Sequence, residues 1–175
     1  DGADYGLRNF GVSGETSGPL IRGGQLDEAV AFLRANPISY VTIDIGANDL
    51  LGHLGSSDCS ADLDAPACRQ RIDSTRVTYS VNIEEIFGRL RDAAPGATIV
   101  VLRAYTPFRR GFGPAVGFDA QSDATRDAFN DLAAAAAGRH GILVADGFTP
   151  MAGTTATTTR MLEDPPDIHP LPIGY

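Results

Sequence analysis

The chain has 175 residues, 43% apolar and 21% charged, enough for one domain with a sizeable core and too apolar for disorder. Its formal net charge of −8 argues against a partner bound through a phosphate backbone, so no nucleic-acid partner is expected. No apolar run reaches the ~18 residues of a transmembrane segment.

Residues 26–36 (LDEAVAFLRAN) carry apolar side chains at helical spacing and stop before Pro37. Residues 39–45 (SYVTIDI) are β-branched, short and bounded by Gly46, which predicts a strand. A polar loop is expected over 52–66, and a long helix over 69–94, stopped by Pro95-Gly96. Residues 97–103 (ATIVVLR) read as a second buried strand, 108–117 as a loop with glycines and aromatics, and 120–139 as a helix with an alanine-rich face. A third short strand is expected at 142–145, followed by loop, with a Thr-rich stretch at 154–159.

Strands that alternate with helices and are apolar on both faces point to an α/β class: a doubly wound parallel sheet covered on both sides, in three α/β/α layers. Ligands of such sheets bind beyond the carboxyl ends of the strands. Asn48 follows one strand and should face that crevice; Tyr105-Thr106-Pro107 follows the next and should line the same rim. Cys59 and Cys68 lie close together in a polar stretch without zinc or redox spacing. They suit an intrachain disulfide closing a short loop, and thus a secreted, extracellular protein; the plainer alternative is a pair of free thiols.

Acyl transfer needs a nucleophile, a base to take its proton, and donors for the developing oxyanion. His169 is a base candidate, set in a loop restricted by Pro165, Pro166, Pro170 and Pro172. Asn48 offers a side-chain amide, and Gly14 a backbone N–H that no Cβ shields. Each alone has a plainer reading, a surface histidine or an ordinary turn. Three in order at element ends carry more weight. Ser13 beside Gly14 lacks the second glycine of a Gly-x-Ser-x-Gly elbow and reads as a turn residue. Asp58, Asp62 and Asp64 lack the spacing of a calcium loop, and the three histidines lack metal-ligand spacing. Phe108, Phe112 and Phe118 fit an acyl-binding lip or ordinary core equally well, and Arg109 and Arg110 an acidic substrate group or plain surface.

The blocks NFGVSGETS (9–17), IGANDLL (45–51) and DIHPLPIGY (167–175) resemble, in order, the second, third and fifth blocks of the SGNH, or GDSL, family of serine esterases and lipases, and the run 90–101 followed by Tyr105-Thr106-Pro107 resembles its secreted bacterial members. The likeness covers nearly the whole chain. It implies the family's flavodoxin-like α/β/α fold and hydrolysis of carboxylic esters, from small molecules or lipids, without metal or organic cofactor. By the same likeness Gly14 and Asn48 would be oxyanion donors and His169 the general base. The family's Gly-Asp-Ser block is not in these residues, so its serine, with a first strand, is expected upstream of residue 1, and a closing helix beyond Tyr175; residues 1–175 would be a single domain incomplete at both ends. The family's aspartate stands three residues before the histidine, where this chain has Pro166. Asp167, Asp164 or a backbone carbonyl is left to orient His169, Asp167 being the first choice. A non-catalytic ligand-binding module of the same fold is the alternative reading.

Overall fold

The structure, a computed structural model, describes residues 6–54, 56–106, 117–151, 155–160, 162–163 and 167–172. Phe108, Arg109, Arg110, Phe112 and Asp164 lie outside the described residues.

Three parallel strands, β1 (Tyr40–Ile43), β2 (Thr98–Arg103) and β3 (Leu143–Asp146), form one sheet in that order. Val41 stands opposite Ile99, and Val101 opposite both Ile43 and Val144. The helices are α1 (Ser17–Arg22), α2 (Gln25–Ala35), α3 (Ala47–Leu54), α4 (Pro66–Ala93), α5 (Phe118–Arg139) and the short turns α6 (Phe148–Met151) and α7 (Thr155–Thr158). The expected α/β class with a parallel sheet is the observed one.

Since the strand order advances in one direction, right-handed crossovers place α4 and α5 on the same face, where they pack together. Ile99 and Val101 point into that side and are fully buried. They meet Ile83, Ile86 and Phe87 of α4 and Phe129 of α5 in one core cluster. Among the described residues the opposite face stays open: Tyr40, Leu102 and Leu143 are 63%, 37% and 59% exposed.

Stretches read from sequence as turn and loop are helical in part: α3 after β1, and the single turns α6 and α7 beyond Gly147. Helix α3 occupies Ala47–Leu54. Gly46 and Gly52 look like breakers in the sequence, yet an isolated helical glycine is tolerated when packing compensates. Leu50 supplies that packing at 5% exposure, and Asp49 suits the positive end of the helix. Helix α1 escapes the 3.6-residue pattern because it spans only six residues. Helix α4 starts three residues earlier than expected, with Pro66 in the first turn, where its missing N–H has no helical partner to lose.

Cys59 and Cys68 form a disulfide across nine residues, and both are fully buried. The bond staples the loop before α4 to its first turn. A loop this short limits the entropic gain, so reduction should cost about 2–3 kcal/mol. Urea unfolding with and without dithiothreitol measures it; equal midpoints would show the staple to be idle.

Candidate active site

The site begins where β1 ends. Gly46 has φ of +106°, a backbone state that favours glycine, and a Cβ there would lie 2.6 Å from the Tyr79 ring. Tyr79, on α4, is buried and donates from its hydroxyl to the Ile45 carbonyl at 3.2 Å. Burial pushes its phenol well above the ordinary tyrosine range, so it stays a donor. Arg126 on α5 donates from Nη1 to the Gly46 carbonyl at 3.1 Å. Both carbonyls of the turn are thus held from below, and the chain enters α3 with Asn48 and Asp49 in its first turn.

These two side chains draw in the segment that carries Gly14. Asp49 accepts from the Ser17 backbone N–H at 2.9 Å and from its hydroxyl at 2.5 Å. Thr16 makes no side-chain cap for α1, so Asp49 satisfies from another element an amide the helix leaves unpaired. Asn82 of α4 donates from Nδ2 to Ser17 Oγ at 2.9 Å. Asn48 Nδ2 donates to the Glu15 carbonyl at 2.9 Å. Gly14 sits next to that carbonyl with φ of +77°, and nothing crowds its missing side chain. A cleft of about 140 Å³ beside Asn48 is lined by Val12, Glu15, Asp44, Gly46 and Asn48 among others, and Gly14 does not line it.

His169 lies on a different piece of backbone. Its segment runs antiparallel to residues 158–160: Leu171 N–H donates to the Thr158 carbonyl at 2.8 Å, and Arg160 N–H to the His169 carbonyl at 3.0 Å. Asp167 Oδ1 accepts from the His169 backbone N–H at 3.0 Å and stands 2.5 Å from its Nδ1. The backbone bond first, then the ring, hold the Asp167 carboxyl below the ordinary carboxylate range. Its contribution is therefore in place above the ordinary carboxylate value and is lost as pH falls through the depressed one. Both side chains are open to solvent, His169 at 70% and Asp167 at 40%.

The structure ties Asn48 to Glu15, the residue after Gly14, and sets Asp167 against His169. Among the described residues no hydrogen bond joins the two pairs directly. On the histidine side Tyr105, two residues beyond β2, donates from its hydroxyl to the Ile168 carbonyl. Phe118 is buried as the first residue of α5, so it is core and not part of a lip. His53 meets Thr75 Oγ1 at 2.6 Å. A wider groove of about 400 Å³ between α4 and α5 is lined by none of Gly14, Asn48 or His169. No group of three or more potential ligands is placed to hold a metal ion, and no helix is long and apolar enough to cross a membrane, both among the described residues.

The model of the GDSL-like lipase/acylhydrolase family matches residues 2–175. The chain belongs to that family. Membership supports ester hydrolysis as the general chemistry of this GDSL-like chain. Among solved structures it is similar to an extracellular lipase from Streptomyces rimosus, with 22% identity, a TM-score of 0.61, and 90% of this chain covering 70% of that one. It is also similar to phospholipase A1 from Streptomyces albidoflavus NA297, with 19% identity, a TM-score of 0.54, and 81% of this chain covering 60% of that one. At these identities the likeness speaks for the fold. No curated protein gave a match.

The turn at Gly46 is the most exacting backbone feature of this GDSL-like site. Gly46→Ala should lose roughly 2–5 kcal/mol, from left-handed strain plus overlap with the Tyr79 ring. Denaturant unfolding measures the loss, and Gly46→Ala should cost less in a Tyr79→Ala background than in the parent, because the ring it meets is gone. A Gly46→Ala protein as stable as the parent would show that the turn relaxes freely.

Proposed function

We propose that the protein is a secreted serine hydrolase of carboxylic esters, with Asn48 and Gly14 as oxyanion donors and His169 as general base. The observation that carries this reading is the tie between two distant segments: Asn48 binds the Glu15 carbonyl while Asp49 binds Ser17. A side-chain amide has two N–H groups. Spending one on Glu15 fixes the orientation of the other, and preorganised donors are what oxyanion stabilisation requires.

The histidine fits its role through its tautomer. With Nδ1–H donated to Asp167, the lone pair sits on Nε2, free to take a proton. The nucleophile of this proposal is a serine on a segment upstream of residue 1. Its Oγ attacks the acyl carbon as Nε2 removes its proton. The oxyanion rests on Asn48 and Gly14 N–H. Collapse expels the alcohol, which takes the proton from His169. Water, deprotonated by the same nitrogen, then releases the acid. The lipase and phospholipase A1 activities of the structural relatives favour lipid esters as the substrate class. The disulfide and the extracellular origin named for the first relative favour secretion.

Fluorophosphonate labelling of the complete gene product, read by peptide mapping, tests the reading. A label on a serine upstream of residue 1 supports it; no label on folded protein favours the non-catalytic module. Asn48→Ala should lower turnover by roughly 10²–10³. Asp167→Asn should lower it by only about five- to tenfold, because an exposed pair orients a ring weakly. A loss as large as that of Asn48→Ala would mean that Asp167 is buried when substrate binds. Steady-state kinetics on a p-nitrophenyl ester measures both.

A further inference from the structure

Helix α5 aims three polar side chains at the carboxyl ends of the strands. Ser122, Arg126 and Asn130 recur every four residues, on one stripe, and each is 4% exposed or less. Each grips a different part of the rim. Ser122 Oγ lies 2.8 Å from Thr106 Oγ1. Asn130 embraces Ala104, accepting its N–H and donating to its carbonyl, both at 3.0 Å. Arg126 joins the turn after β1 to its helix neighbour: Nη1 donates to the Gly46 carbonyl, and Nη2 to Asn130 Oδ1 at 3.4 Å. Its Nε has no acceptor among the described residues.

A guanidinium buried with no carboxylate on its nitrogens among the described residues is costly to place. Hydrophobic residues in this row would pack the helix against the sheet at less cost. What the polar row supplies is registration. A planar, charged fork fixes one carbonyl in distance and direction better than packing can. The fork connects the turn after β1 to Asn130, and Asn130 in turn clasps Ala104 just beyond β2. From Gly46 the chain passes through Ala47 to Asn48. From Ala104 it passes to Tyr105, whose hydroxyl holds the Ile168 carbonyl next to His169.

We infer that Ser122, Arg126 and Asn130 are positioning residues that set the distance between the Asn48 turn and the His169 segment, acting through Gly46 on one side and Ala104–Tyr105 on the other. This rests on the ester-hydrolase reading above, since only a reaction shared by Asn48 and His169 needs that distance fixed.

The test is a double-mutant cycle in the complete gene product, assayed on a p-nitrophenyl ester and monitored for folding by circular dichroism. Arg126→Met should lower kcat roughly 10- to 100-fold, the usual scale of an ångström-level misplacement, with KM little changed. In an Asn48→Ala background the same substitution should cost less than about threefold, because the donor it positions is already gone. Arg126→Lys keeps a charged donor for Gly46 but loses the fork, so it should retain more kcat than the methionine variant; where the methionine variant does not fold, Arg126→Lys completes the cycle. A folded variant with unchanged kcat, or equal losses with and without Asn48, overturns the positioning role. A folded parent enzyme without esterase activity overturns the underlying reading, and the positioning role with it.

Discussion

Everything about this site depends on how the chain leaves β1. A parallel strand delivers its last residue to the carboxyl edge of the sheet, where the backbone must change direction at once to start a helix. Gly46 makes that change in a conformation that disfavours side chains, with Tyr79 packed into the space a Cβ would fill. The turn leaves the Ile45 and Gly46 carbonyls aimed into the protein, and buried carbonyls must find donors. Tyr79 and Arg126 are those donors, so α4 and α5 both enter the site through two main-chain oxygens.

From that turn the constraint spreads outward through polar contacts. Asn48 and Asp49 lie in the first turn of α3 and take hold of Glu15 and Ser17. Asn82 secures Ser17 from α4. None of these bonds is worth much in net stability, since each replaces a bond to water. Their value lies in geometry, because a partly buried network with every partner in place has one low-energy arrangement. The histidine side is built differently. Its segment hangs on a short antiparallel ladder and on Tyr105, and the Asp167–His169 pair faces solvent. The Asn48 group is fixed by buried partners, and the His169 group by backbone pairing at the surface.

Much of this was legible in the sequence. The alternation of β-branched runs with helical periodicity gave the parallel sheet. The spacing of Cys59 and Cys68 gave the disulfide now found. The placement of Asn48 after a strand put it at the carboxyl edge. The misses have physical reasons. Glycines at 46 and 52 hide α3, because only tertiary packing of Leu50 shows that the segment is helical. Asp49 reads as a turn residue until the fold brings α1 to it from 32 positions earlier. The α5 row is hidden among alanines: Ser122, Arg126 and Asn130 look like the solvated face of a helix. Polar residues recurring every four positions on the stripe of Phe118, Phe129 and Ala133 are its one sequence trace.

The buried arginine shows why that trace is easy to misread. Pattern reading assigns charge to the surface, because a lone ion in a core is costly. Arg126 escapes the rule by lying under the carboxyl edge, where strand ends offer carbonyls. Burial lowers its affinity for the proton, while Asp44 and Asp49 act in the opposite direction. A guanidinium tolerates that pull better than an ammonium, because its basicity is far above neutrality and its charge is spread over a plane. A lysine in the same place would have one donating centre for two acceptors, one in the turn after β1 and one on α5 itself. The arrangement of the rim thus favours arginine for a geometric reason, the distance from the Gly46 carbonyl to the Asn130 side chain that itself clasps Ala104.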